Sequence, residues 1–527
     1  MKRWVPLLVC LVHFWILVSL ARQHPIGAYA TETDFYHLYA PDAERIARGQ
    51  FPENKFQGPG YPAVVAAVAT LAGKRDDLFT VGKWLSVVCA VACGWLIFTL
   101  FSRVFNPWAG FGAQVIAALS GELPQYSIQA ATDLLFLLLC LAVLVVFLGE
   151  RLPVRGRVAL AGALTGAAYV VRYNGLFLLV TCLTGILLLN VFGQSWRERW
   201  RACAIFVATF LLAASPWLIA NWIHRGSPFY NANYLNIATE FYPELAGGKV
   251  NQDGTRALEE RFRSFGDVLR HDPKRLLAQY PVNLWESLRL SVKDELVHWV
   301  VGLMAWFGVL RALFERRSKH RSPNQIKRQT LLMIAGALYF LLMALNHWET
   351  RYYFFVMVLY AGFAVYACGR IYEPAQNYGW PRLFAFTMIP LVSFGFLFYA
   401  SLSKGRANVR QFLDSQPMEL LAARDYLQSV NARSLRIVAR KPHLPSLTRN
   451  EWVFFPQVNS LDELRAWLLE NRVDYIAISK REIKERKQLA PLGDPRNAPD
   501  WLRAVWVNRD PLFVLYVPEP AAGEGTK

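Results

Sequence analysis

Chemistry first appears along this 527-residue sequence in a short acidic and aromatic segment, Glu32-Thr33-Asp34-Phe35-Tyr36-His37-Leu38-Tyr39. A carboxylate there, ahead of an aromatic-rich surface helix, could have a catalytic role. Asp34 could equally cap a helix, as Asp before a helical stretch commonly does. A second carboxylate, Asp133, opens a long apolar run, with Glu122 in the loop before it. The plainer use of such a group is to complement a helix dipole. Cations stand at comparable places: Lys55, Arg172, His224 and Arg225, and the pair His347 and Arg351. The last two are four apart and share a face if one helix runs through both. A guanidinium can grip a phosphate with two parallel hydrogen bonds. It can also snorkel to headgroups and anchor a span, and spacing alone leaves both uses open.

The elements that must position these groups are mostly apolar helices. Hydrophobic residues make up 54% of the chain and charged ones only 18%, with a mean hydropathy of +0.21. Disorder and an ordinary soluble composition are both excluded. Eleven apolar runs are long enough, or nearly so, to cross a bilayer as helices: Trp4-Ala21, Trp84-Phe101, Pro107-Gly121, Leu134-Gly149, Val158-Val171, Tyr173-Gly193, Ala202-Ile223, Leu296-Leu310, Thr330-His347, Tyr352-Gly369 and Leu383-Ser403. The first reads as an uncleaved anchor rather than a signal peptide, because so many spans follow it.

The net charge of +18 first suggests a nucleic-acid partner. Its distribution argues otherwise. With the N-terminus inside, the short inner loops hold 18 Lys and Arg against four acids, among them Arg316, Arg317, Lys319, Arg321, Lys327 and Arg328. That is the positive-inside pattern of a multi-pass protein. It puts three large polar regions outside: 22–80, 224–295 and the tail from Lys404. No nucleic-acid role is expected. The seven cysteines all lie in or beside apolar runs, so neither a disulfide framework nor a zinc site is implied. No Asn-x-Ser/Thr sequon occurs, which favours a bacterial inner membrane over the endoplasmic reticulum.

In the first outer region an amphipathic helix over 35–48 is expected, with Pro41 a candidate break. The turn Gly58-Pro59-Gly60-Tyr61-Pro62 follows, then a short surface helix over Ala63-Ala72. Gly58-x-Gly60-x-x-Ala63 imitates a dinucleotide fingerprint, but it contains prolines and follows no strand. The tail reads as a small α/β domain: a helix over Val409-Val430, strands at Leu435-Ala439, Val473-Ser479 and Leu512-Val517, and a capping box from Ser460 to Glu463. The fold class is thus mainly α, a polytopic helix bundle (1–402) followed by an extracytoplasmic α/β domain (403–527).

In order and sidedness, these motifs resemble the GT-C glycosyltransferases, in the bacterial branch related to protein O-mannosyltransferases and aminoarabinose transferases. The resemblance is carried by Asp34 and Tyr36, the GPGYP turn, Thr132-Asp133, Val170-Val171-Arg172-Tyr173-Asn174-Gly175, Pro216-Trp217 with Asn221, Gly226-Ser227-Pro228-Phe229, and Arg351-Tyr352. It implies transfer of a sugar from a polyprenyl-phosphate donor to an extracytoplasmic acceptor, a glycolipid, polysaccharide or protein. Asp34 matches the first-loop acid that would act as general base. Asp133 matches a second acid, and either could ligate magnesium or manganese. Arg172 and Arg351 match positions suited to donor phosphate, with His347 and Lys55 as further candidates. One departure is Thr33-Asp34-Phe35, where many relatives carry adjacent acids. The rival reading is a transporter or flippase of a lipid-linked glycan, which would share the phosphate contacts but need no base in a surface loop.

Overall fold

A computed structural model describes residues 4–246, 252–315, 322–370, 382–431 and 434–519. The chain divides into two compact units. One comprises Met1–Gln23 and Asp42–Phe412, the other His24–Pro41 and Leu413–Lys527.

The first unit is helical, and each of the eleven apolar runs falls largely within one of its helices. Among the described residues, six helices are long and apolar enough to cross a membrane by length and composition. The others are shorter, such as Pro107–Leu119 and Asp133–Phe147, or, like Val154–Val171, carry arginines in the first turn. Multiple passes are therefore plain, while the expectation of about eleven crossings exceeds what length alone supports. Helix Val154–Val171 lies along helix Trp196–Arg225 because Gly162 and Gly166 offer no side chain there. A Cβ on either would strike the backbone of Phe206 or Phe210.

The two ends of the bundle are tied differently. At one end Arg328 Nη1 donates to the Arg103 carbonyl at 3.2 Å, its Nη2 meets Glu150, and Lys327 Nζ donates to the Asn190 carbonyl at 2.9 Å. These residues come from the short basic loops assigned to one membrane face by charge. Arg316, Arg317, Lys319 and Arg321 lie outside the described residues. At the other end, Arg225 Nη2 donates to the carbonyls of Pro52, Glu53 and Asn54 at 3.2, 3.3 and 3.0 Å. The Asp42 carboxylate accepts from the amides of Glu53 and Asn54 at 2.8 and 3.1 Å. Region 232–268 adds a core of its own, built on Leu235, Phe241, Tyr242, Leu258 and Phe262.

The second unit is a five-stranded sheet with helices on it. Its strands are β1 (Arg436–Ala439), β2 (Glu451–Phe454), β3 (Tyr475–Ser479), β4 (Leu502–Arg509) and β5 (Leu512–Pro518), in the order β2-β1-β3-β5-β4. β1 pairs parallel to β2 and β3, whereas β5 pairs antiparallel to β3 and β4. Side-chain alternation divides the core. Val438, Ile476, Ile478, Val514 and Tyr516 pack on one face, Ile437, Ala477, Phe513 and Leu515 on the other. Three strands match the expected runs, and helix Leu461–Glu470 starts at Ser460, whose Oγ accepts from the Glu463 amide at 3.1 Å. β2 and β4 fall outside the expected runs: β2 is four residues with one aliphatic, Val453, and β4 breaks its aliphatic residues with Arg503, Trp506 and Asn508. The expected helix over 409–430 is interrupted between Asp414 and Glu419, where Pro417 cannot continue the ladder.

The segment His24–Pro41 packs in this second unit, with Ile26 fully buried in the sheet's second core. It holds one helical turn at Glu32–Asp34, then a π turn at Phe35–Tyr39, and helix Ala40–Ala47 follows. Pro41 does not break this path, because the wider turn ends just before it.

Candidate functional site

The GPGYP turn sets the site's geometry. Gly58 and Gly60 press on the last turn of helix Val154–Val171: a Cβ on Gly58 would run into the Val170 carbonyl oxygen, and one on Gly60 would come 2.8 Å from Val171 Cγ2. These glycines serve close packing, not a nucleotide. The next residue, Arg172, leaves the helix with extended backbone at φ −145° and ψ 129°.

Arg172 Nη1 then donates to Asp133 Oδ1 at 2.8 Å, with the two side chains 5% and 1% exposed. Asp133 is the first residue of its helix, where the dipole favours a negative charge. Its other oxygen, Oδ2, is buried and has no hydrogen-bond partner among the described residues.

On its other side the Arg172 guanidinium lies 5.3 Å from the Tyr352 ring centroid, and that of Arg351 lies 5.2 Å from the same ring. Tyr352 is held from behind, since the Tyr339 hydroxyl donates to its carbonyl. Arg351 Nε sits 2.8 Å from Glu349 Oε1, while His347 Nε2 is 3.8 Å from Glu349 Oε2 and its ring 5.7 Å from that of Tyr352. Burial disfavours the Glu349 anion, yet His347, Arg351 and Tyr352 together hold its carboxyl down to about 2. Glu122 goes the opposite way. Burial and the Glu349 charge push it up to about 7, against the opposing pull of Lys404 and Arg351.

Of the six candidates, the structure thus brings Asp133, Arg172, Arg351 and His347 into one group around Tyr352. Lys55 pairs instead with Glu259 at 3.6 Å and is half exposed. Arg225 is spent on holding the 52–54 loop, against Phe51, Trp217 and Tyr230, and His224 stacks on Phe51 at 4.1 Å. Asp34 belongs to the second unit. Glu349 and Tyr352 escaped notice as site residues. The available signal was Glu349-x-Arg351-Tyr352, charges of both signs and an aromatic immediately before an apolar run.

A family profile described as dolichyl-phosphate-mannose-protein mannosyltransferase matches residues 57–220, a stretch that includes GPGYP, Asp133 and Arg172. A search of curated protein sequences returns no match. Among solved structures, the oligosaccharyltransferase AglB of Archaeoglobus fulgidus, in complex with an inhibitory peptide and a dolichol-phosphate, superposes with a TM-score of 0.60 at 12% identity. That match covers 92% of this chain and 70% of AglB. The same enzyme in complex with Zn and sulfate gives 0.60 at 13% identity, over 98% of this chain and 74% of that one. ArnT from Cupriavidus metallidurans, bound to undecaprenyl phosphate, gives 0.53 at 15% identity over 99% of both chains. The fold is that of the GT-C glycosyltransferases. Within that fold, Arg172 and Arg351 both lie against the ring of Tyr352, each arginine set against a carboxylate.

Proposed function

We propose that this chain is a glycosyltransferase that moves a sugar from a polyprenyl-phosphate-linked donor to an extracytoplasmic acceptor, a glycolipid, polysaccharide or protein. It works at the outer face of a bacterial inner membrane, with the N-terminus cytoplasmic and the tail domain outside. The observation that carries this reading is the convergence of Arg172 and Arg351 on Tyr352, in a GT-C fold. A donor phosphate can take the place of a carboxylate on a guanidinium, since both offer two oxygens to its fork. His347, beside Glu349, adds a donor at the same place, and Lys55 stands further out on the first loop.

Asp34 is the general base in an inverting displacement. It accepts the proton of the acceptor hydroxyl or amine as the bond to the anomeric carbon forms. The bond from that carbon to the phosphate oxygen breaks, and polyprenyl phosphate leaves as an anion stabilised by the arginines. A divalent cation, magnesium or manganese, suits the unpartnered Asp133 Oδ2 as a hard-oxygen ligand, with Asp34 the second candidate carboxylate. Among the described residues no three His, Cys, Asp or Glu side chains group as a metal cage, so phosphate and water would complete the shell. When bound, such an ion neutralises charge on the departing phosphate. AglB has been crystallised with Zn and sulfate, which supports a metal-assisted reading.

The test is transfer by purified protein in nanodiscs, supplied with a panel of labelled polyprenyl-phosphate sugars and acceptor fractions. Labelled product that depends on Asp34 supports the reading. Donor moved between leaflets without any product would support the flippase instead.

A further inference from the structure

The segment carrying Asp34 is built by the far end of the chain. His24, fully buried, bridges Gln416 Oε1 at 3.1 Å through Nδ1 and Glu32 Oε2 at 2.9 Å through Nε2. Glu32 Oε2 also accepts from the Ala28 amide at 2.7 Å, and Ile26 lies in the sheet's core with Ile437 and Leu515.

Several contacts of the segment around Asp34 come from one turn, Arg440-Lys441-Pro442-His443, directly after β1. His443 is fully buried, with Nε2 3.0 Å from the Ala28 carbonyl oxygen and its ring 4.7 Å from that of Tyr36. Burial pushes its imidazole down to about 4, so the ring is uncharged at neutral pH and Nε2–H donates to Ala28. Lys441, two residues earlier, is half-buried, and burial and the Arg440 charge lower its pKa against the opposing pull of Asp34 and Glu485. Arg440 is already engaged, at 3.0 Å from Glu482 Oε1 and over the Tyr29 ring at 5.4 Å. From the neighbouring strand β2, Trp452 meets His37 edge to face at 4.8 Å. The aspartate is thus flanked on both sides by residues the tail grips.

We propose that this turn is the positioning element for Asp34: His443 holds the segment on either side of it, through the Ala28 carbonyl and the Tyr36 ring. The inference rests on Asp34 being the base. His443 does not touch the reacting atoms, so it acts through the aspartate. A small α/β domain without a phosphate-binding loop then has a catalytic reason to be there, because it holds the base.

Two full-length variants test this: His443→Leu and His443→Gln. Turnover and donor KM are measured together with hydrogen exchange over residues 28–37. His443→Leu is expected to lower kcat about tenfold or more with donor KM within about twofold, and to speed exchange in the segment. His443→Gln, which keeps a donor for Ala28, recovers most of both. Wild-type kcat in His443→Leu overturns the proposal. A kcat that falls about tenfold in His443→Gln while exchange stays at the wild-type rate separates turnover from order in the segment, and overturns it even if His443→Leu fails to fold. If the wild type transfers no sugar from any donor, the glycosyltransferase reading fails on its own. Exchange in the His443 variants then still decides the positioning claim, and unchanged exchange in His443→Leu refutes it.

Discussion

Arg172 and Asp133 form a buried ion pair at 2.8 Å, and only one of the two carboxylate oxygens is used. Such a pair costs desolvation on both sides, and its removal by halves leaves a bare charge inside the protein. Asp133→Leu and Arg172→Met singly should each cost about 3–5 kcal/mol, and the double variant less than the sum of the two. Thermal unfolding in one detergent checks this. Additive losses would mean that the two side chains are not coupled.

Asp34→Asn is isosteric and should leave expression and thermal stability near wild type while abolishing sugar transfer. Full retained turnover would remove Asp34 from the mechanism.

Arg351→Ala should raise the donor concentration needed for half-maximal rate more than it slows saturated turnover, because a ground-state phosphate contact is lost. The Glu349 carboxylate is left without its arginine, so Glu349→Gln in the same background should recover part of the loss. An unchanged donor dependence counts against phosphate binding at Arg351.

Glu122 and Glu349 respond to pH in opposite senses. The Glu122 carboxyl, raised to about 7, favours the folded protein while it stays protonated and loses that advantage as pH rises from about 4.5 through 7. The Glu349 carboxyl, lowered to about 2, stabilises above about 4.5 and ceases to do so as pH falls toward 2. Glu122→Gln should therefore be more stable than wild type at pH 8, by about 2 kcal/mol, and nearly equal to it at pH 4.5. Melting temperatures across that range give the answer, and a constant difference between the two proteins would exclude ionisation of Glu122 as its source.

Gly58→Ala should be among the most damaging small substitutions, costing about 3 kcal/mol, because the new methyl meets the Val170 carbonyl rather than a movable side chain. Gly395→Ala is the control. It is helical and exposed, with nothing within 4 Å of an added Cβ, and should be neutral or slightly stabilising.

Much of this was legible in residue order. The apolar runs, the tail's three aliphatic strands and the Ser460 cap follow from local pattern, because hydropathy and capping act over a few residues. What escaped depends on distance along the chain. Nothing near Glu349 reveals that Glu122 faces it, and nothing near Ile26 reveals that its neighbours are Ile437 and Leu515. Nor does anything near GPGYP reveal that its glycines meet the end of helix Val154–Val171, about a hundred residues away.

The burial of Ile26 beside Leu515 also bears on how the protein is made. Residue 26 leaves the ribosome early and must wait for nearly the whole chain before its core exists, roughly half a minute to a minute and a half at bacterial synthesis rates of about 5–20 residues per second. Through that interval the span helices can insert and pack while the segment bearing Asp34 has no fold of its own. A prematurely terminated chain would therefore reach the membrane with this segment still unordered.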